Sequence, residues 1–267
     1  MSTASHCLSR VLTVVLTLAI MALAGTAMAE TDTLSTIKSA GVLKVAVPQD
    51  FPPFGSVGPD MKPVGYDIDM AAHIAKALGV KLTLVPVSST NRIPYLTTGK
   101  VDLVISSLGK NAERAAVIDF SDAYAPFFNG VFGPAGAAIA GPADLAGKSV
   151  AVTRGSIEDL ELTKIAPATV SIMRFEDNSG TASAYQSGQV ELIATGNVVA
   201  ASLNGKNPAK KLEAKFLIKN SPCYIGVAKG QKPLLDAVNA IIASARKDGS
   251  LDAISETWLH ASLPAEM

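Results

Sequence analysis

The feature that most narrows the folds open to this chain is an alternation along its whole length. Short apolar runs of strand length take turns with helix-length amphipathic stretches, and the loops between them are brief. Strands are expected at 43–47, 81–87 and 101–105, with a helix at 67–78 opened by Asp67 and ended by Gly79, and a shorter one after Ser88. Such a pattern builds parallel βαβ units, and open sheets of that kind gather ligands beyond the carboxyl ends of their strands. Three loops are thereby brought to one place: 50–54, 88–92 and 106–110.

The third of these loops carries the most chemistry. In VDLVISSLGKNAERAAVIDFSDAY, residues 101–124, an apolar run breaks at Ser106, Ser107 and Gly109, and Asn111 is placed to cap a short helix bearing Glu113 and Arg114. A strand end followed by a helix start presents free backbone N–H groups at a positive dipole end, and Arg114 adds a planar fork, a combination that suits a carboxylate. The plainer alternative is an ordinary strand-to-helix turn with Arg114 paired to Glu113 or Asp119 on a wet surface. In the first loop, Pro48, Pro52 and Pro53 stiffen the segment that displays Asp50 and Phe51.

Around 132–141 the composition turns small and flexible (FGPAGAAIAG), and a second α/β pattern begins. It offers strands at 149–152, 171–175 and 192–195, helices from Ile157, from a Ser179 cap and from Asn197, and its own polar turn at 154–157. A strand at 224–228 and helices at 233–247 and 251–260 complete the chain.

Residues 1–29 have the layout of a secretory signal: Arg10, the apolar core VLTVVLTLAIMALAG and the small-residue end Ala27-Met28-Ala29, with processing expected after Ala29. The 23 basic and 23 acidic side chains balance, which argues against nucleic acid and membrane-surface binding. Beyond residue 29 one cysteine remains, Cys223, and the remaining histidines, His73 and His260, lie in helical stretches, so Cys–His catalysis is not expected. No cofactor and no metal site are expected either.

Five motifs, in order and spacing, resemble one family: GVLKVAVPQDFPPFG, GYDIDMAAHIAKALGV, the run from NRIPYLTTGK through FSDAY, LAGKSVAVTRGS and a late TWL. They resemble the exported solute-binding proteins of bacterial ABC importers, in the polar amino-acid-binding group. The resemblance implies an α/β, two-lobed periplasmic-binding-protein fold of type II, with two crossing strands as its hinge. Residues 30–132 and 223–267 would form lobe 1 and 133–222 lobe 2. A monomer in the periplasm would carry a small carboxylate-bearing solute, an acidic or polar amino acid, to an inner-membrane ABC permease.

Carried over residue by residue, the resemblance gives Arg114 the solute α-carboxylate, Ser107 and Gly109 contacts to its head, and Phe51 a stacking role. Ser156 and Ile157 would complete carboxylate binding, and Ser89 and Arg92 would face the solute side chain. Three departures stand out. Relatives usually carry an Asp for the solute ammonium where this chain has Gly196 followed by Asn197, so either the solute lacks an α-amino group or Asp50 or Glu158 substitutes. Gly109 and Ile157 also stand where hydroxyl residues are common. The alternative is an enzyme of the same fold, a cyclohexadienyl or prephenate dehydratase, with Asp50 and Glu158 as the acidic groups available to it.

Overall fold

The computed structural model describes residues 32–265, so the export signal expected at 1–29 lies outside the described residues. The chain begins with helix α1 (Thr33–Ala40) and strand β1 (Val42–Val47). A small antiparallel sheet follows, made of β2 (Asp50–Phe51), β3 (Gly55–Val57) and β4 (Pro63–Val64). Then come α2 (Tyr66–Leu78), β5 (Lys81–Pro86), α3 (Arg92–Thr97), β6 (Leu103–Leu108), α4 (Ala112–Val117) and β7 (Ile118–Ala125). The second sheet takes β8 (Phe128–Gly133), β9 (Ser149–Thr153), α5 (Ile157–Ile165), β10 (Ser171–Phe175), α6 (Asn178–Ser187), β11 (Leu192–Gly196), α7 (Asn197–Lys206) and β12 (Glu213–Asn220). Strand β13 (Cys223–Ala228) returns to the first sheet; α8 (Lys232–Lys247) packs against β7, and α9 (Ser250–Leu259) packs against α2 and α8.

The strand orders are β5-β1-β6-β13-β7 and β10-β9-β11-β8-β12. In each sheet four strands run in one direction and one runs against them: β13 between β6 and β7 in the first, β8 between β11 and β12 in the second. Period-two alternation sends side chains to both faces, and both faces are buried. Leu43, Val45 and Val47 of β1 join one cluster while Ala46 joins the opposite one, and β9 splits Val150 and Val152 from Ala151 in the same way. That double burial is why these strands read as nearly continuous apolar runs.

Three expectations need correction. The division expected at 132/133 falls inside β8, which lies wholly in the second sheet because its partners are β11 and β12; the chain changes sheet earlier, at Pro126–Phe127. Asp67 does not cap α2: Gly65 precedes the helix and Asp67 is fully buried. The cap of α6 is Asp177, whose side chain accepts from Gly180 N–H, so Ser179 sits inside the first turn. The thiol of Cys223 is buried, as expected. Among the described residues no helix is long and apolar enough to cross a membrane.

Candidate ligand-binding site

The two crossings lie side by side, tied by Ser221 N–H donating to Phe127 O at 3.2 Å. Beside them the carboxyl ends of the parallel strands in both sheets face one small cavity. The first lobe contributes Phe51, Ser89, Arg92, Ser107 and Gly109 to its wall. Across the cleft stand Ser156, Ile157, Glu158 and Asn178, with Phe127 and Asn129 from the crossing and β8.

Polar atoms left without partners converge on this cavity. Among the described residues the buried side-chain atoms with no hydrogen bond are Ser89 Oγ, Ser107 Oγ and Asn129 Oδ1, and all three residues line it. Leaving such a group unmade costs about 1–3 kcal/mol, so three around one void mark a place built for a polar guest. Ser107 is also held at φ +38°, a conformation an L side chain adopts at a cost. Its N–H is fixed by Asp67 Oδ2 at 2.7 Å, and the other oxygen of that carboxylate accepts from the Tyr124 hydroxyl. The local geometry thus spends a buried carboxylate on aiming one backbone turn at the cavity.

Charge is concentrated in the same wall. Arg92, 5% exposed, donates Nε to Ser106 Oγ at 3.1 Å. Burial lowers its pKa, while Glu158 is the foremost of the negative groups that oppose the shift. Glu158, also buried, accepts from Asn129 Nδ2 at 2.8 Å. Burial pushes Asp67 up to about 7, against the pull of its Tyr124 and Ser107 hydrogen bonds and of Arg92. Among the described residues no group of His, Cys, Asp and Glu is arranged to hold a metal ion.

The residues expected at the site divide into two sets. Phe51, Ser89, Arg92, Ser107, Gly109, Ser156 and Ile157 line the cavity. Arg114, Asp50, Gly196 and Asn197 do not. Arg114 stands behind the wall: Nη1 donates to Gly109 O at 2.7 Å and Nη2 crosses the cleft to Gly155 O at 2.9 Å. Burial and the neighbouring Arg92 lower its pKa to about 10. Asp50 also spans the lobes, accepting from Asn178 N–H at 2.6 Å and Asn178 Nδ2 at 3.1 Å at the start of α6. Asn197 Oδ1 accepts from Phe128 N–H at 3.1 Å and so braces the crossing.

Two departures from the family pattern have steric causes. A Cβ on Gly196 would stand 1.8 Å from Phe127 Cζ, so the ring occupies the space a side chain there would take. A Cβ on Gly109 would stand 2.6 Å from Ile157 Cγ1 and 2.9 Å from Ser221 Oγ, so the glycine and the isoleucine fit each other across the cleft. Sequence reasoning missed Phe127, Asn129 and Asn178. The signal available for the first was the aromatic run just before the flexible segment, but nothing in the sequence registers Asn129 opposite Gly196 as the β8–β11 pairing does.

Two α/β lobes closing on a charged, enclosed cavity define a binding protein of the two-lobed periplasmic type. The chain belongs to the bacterial extracellular solute-binding proteins, family 3, whose sequence profile matches residues 43–261. It is 31% identical over 240 residues to the ABC transporter glutamine-binding protein GlnH of Bacillus subtilis (strain 168), covering 88% of this chain and 87% of that protein. It is 28% identical to the L-cystine-binding protein TcyJ of Escherichia coli (strain K12), covering 88% and 89%. The crystal structure of the solute receptors for L-cysteine of Neisseria gonorrhoeae superposes with a TM-score of 0.80 at 32% identity, covering 85% of this chain and 93% of that one. The general role is solute binding for ABC importers in amino acid transport.

Proposed function

We propose that this chain captures an amino acid or a closely related carboxylate between lobes 33–125 plus 223–265 and 128–220, and that the closed form delivers it in the periplasm to an inner-membrane ABC permease. The observation that carries the reading is the convergence of three unpartnered buried polar atoms on a small cavity walled by Arg92. Arg92 faces the solute carboxylate, with Ser89 and Ser107 as hydroxyl partners and Phe51 covering the apolar part. Arg114 adds positive potential from behind and holds Gly109 in place; direct contact with the solute, as the family resemblance implies, requires its Nη atoms to leave Gly109 O and Gly155 O. Two guanidiniums stand against one wall carboxylate, Glu158, which favours a solute with net negative charge, an acidic amino acid before a neutral polar one.

The site binds without reacting. Proton-transfer chemistry needs an acid and a base at the reacting atoms. Asp50 is engaged at α6 away from the cavity, which leaves Glu158 beside Arg92 as the acidic residue in the wall. Calorimetry of the chain from residue 30 against L-amino acids and dicarboxylates is expected to give Kd values of about 1 μM for at least one acidic or polar amino acid. Absence of any thermal shift with millimolar solute across that set would refute the carboxylate reading. Formation of an aromatic product from prephenate or arogenate would refute the non-enzymatic one.

A further inference from the structure

We propose that Asn129 and Glu158 together form the receptor for the solute's α-ammonium, the role for which the family resemblance implies a carboxylate at the position of Gly196; this rests on the carboxylate-solute reading above. Gly196 and Asn129 are direct cross-strand partners in the antiparallel β11–β8 pair. Side chains at such paired positions rise from the same face of a sheet with Cβ atoms about 4.5–5.5 Å apart. Space at 196 is closed by the Phe127 ring, and its cross-strand partner Asn129 reaches the cavity. Asn129 is 2% exposed and lines the cavity.

The orientation of its amide is fixed by chemistry. The carboxylate of Glu158 accepts but does not donate, so the amide group 2.8 Å from it is the NH₂, and the carbonyl oxygen is the end left without a partner. An acceptor-only carbonyl and a carboxylate, side by side in a buried wall, are complementary to an ammonium and hostile to a second anion. The neighbourhood fits an α-amino acid in a second way. Its opposite charges sit on one carbon, so its receptor needs a cation and an anion next to each other. Arg92 and Glu158 line the same small cavity, and Glu158 is the foremost negative group acting on Arg92.

Asp50, the other acidic residue considered for this role, binds the start of α6 and lies outside the cavity wall. If Glu158 served only as counter-ion to Arg92, it would influence every carboxylate solute alike, with or without an amino group. The two roles are therefore separable by comparing each amino acid with its deamino partner.

The test is calorimetry of the wild-type chain and of Glu158→Gln with four pairs: L-glutamate and glutarate, L-aspartate and succinate, L-glutamine and 4-carbamoylbutanoate, L-serine and 3-hydroxypropanoate. The wild type is expected to favour the amino member of its best pair by about tenfold or more, and Glu158→Gln to erase most of that preference. Asn129→Leu, which keeps the bulk and removes the carbonyl, is expected to reduce it in the same direction. A deamino partner that binds the wild type as tightly, or a Glu158→Gln variant that changes both members by one factor, overturns the assignment. Binding of no member of any pair overturns the carboxylate reading and this inference with it. Melting curves show whether each variant folds; if Glu158→Gln does not, the wild-type comparison together with Asn129→Leu decides.

Discussion

Replacing Gly196 by alanine tests the steric origin of the missing carboxylate. The added methyl would lie 1.8 Å from Phe127 Cζ, 2.4 Å from Cε2 and 2.7 Å from Cε1, whereas carbon atoms settle at about 3.5–4.0 Å. The ring must retreat by about 1.5 Å or more. It is 6% exposed and packs against Phe54 at 5.4 Å and Phe51 at 6.2 Å between centroids, so the cavity it lines is the direction left to it, at the expense of those ring contacts. Overpacking of this kind costs about 1–3 kcal/mol, and a chain of this size loses about 2–4 °C of Tm per kcal/mol. The backbone itself does not object: Gly196 has φ −78° and ψ 149°, ordinary extended values, and an alanine there would by itself add about 0.4–1 kcal/mol through the unfolded chain. Remove the ring and the sign should reverse. Thermal denaturation of ligand-free Gly196→Ala, Phe127→Ala and the double variant measures this as a coupling energy. Gly196→Ala is expected to destabilise the wild type and to be neutral or stabilising in the Phe127→Ala background. Additivity within about 0.5 kcal/mol would refute the argument that Phe127 excludes a side chain at 196.

The Gly109–Ile157 fit makes the same kind of claim about closure: Gly109→Ser is expected to weaken solute binding by about tenfold, and Gly109→Ser with Ile157→Ala, which removes the clashing Cγ1, to recover part of it, read by calorimetry, with failure of the double variant to recover counting against the pair. Asp50→Ala removes a carboxylate from the start of α6 and should weaken binding by about three- to tenfold while leaving the Tm of the ligand-free chain unchanged, since the contact joins the two lobes. For Asp67, burial raises the folded-state pKa from the ordinary 3.8 to about 7, so the folded state holds a proton that the unfolded chain has released. Stability from this group is accordingly greatest below pH about 4 and is lost as pH rises to about 7, with a slope of up to about 1.4 kcal/mol per pH unit. Denaturant titrations from pH 4.5 to 8 should show that slope in the wild type and a flatter profile in Asp67→Asn; equal slopes would show that Asp67 stays ionised beside Arg92, Tyr66, Tyr124 and Cys223.

Much of the fold was legible because parallel strands covered on both faces leave a plain mark: LKVAV, DLVIS and LIAT are nearly uninterrupted apolar runs. The edge strand β12, reading EAKFLIKN, alternates weakly and left no such mark, and the two- and three-residue strands β2 to β4 are too short for periodicity to register. Cap residues were legible where the capping side chain also began the helical pattern, as with Asn111, which accepts from Arg114 N–H. At Asp67 local propensity pointed outward, and tertiary demand won, because Ser107 N–H and the Tyr124 hydroxyl needed an acceptor inside the core. The cavity wall of the first lobe follows from loops at strand ends and was readable from order along the chain. Asn129, Phe127 and Asn178 enter through the pairing of β8 with β11 and the approach of α6 to β2, relations between distant segments that no local pattern encodes.

Contacts that cross the cleft flank the cavity, and each hydrogen bond or ion pair among them is worth about 0–3 kcal/mol. On one side Asp50 meets α6; on the other Asn111 Nδ2 donates to Glu161 at 3.0 Å, Lys164 pairs with Glu113 at 3.0 Å and Arg114 reaches Gly155 O. The Lys164–Glu113 pair is largely exposed, and such pairs contribute about 0–1 kcal/mol. Stronger latches would close the lobes whether or not the cavity was filled, and a permease that reads the closed shape would then be answered by empty carriers. Weak latches leave the decision to what fills the cavity. A solute that satisfies Ser89, Ser107 and Asn129 removes three desolvation costs that closure otherwise incurs, and that difference in affinity between the open and closed forms is the quantity that can shift their populations. On the function proposed above, the unpartnered atoms couple recognition to closure: substituting all three by apolar residues of similar size should make closure less dependent on solute while lowering affinity.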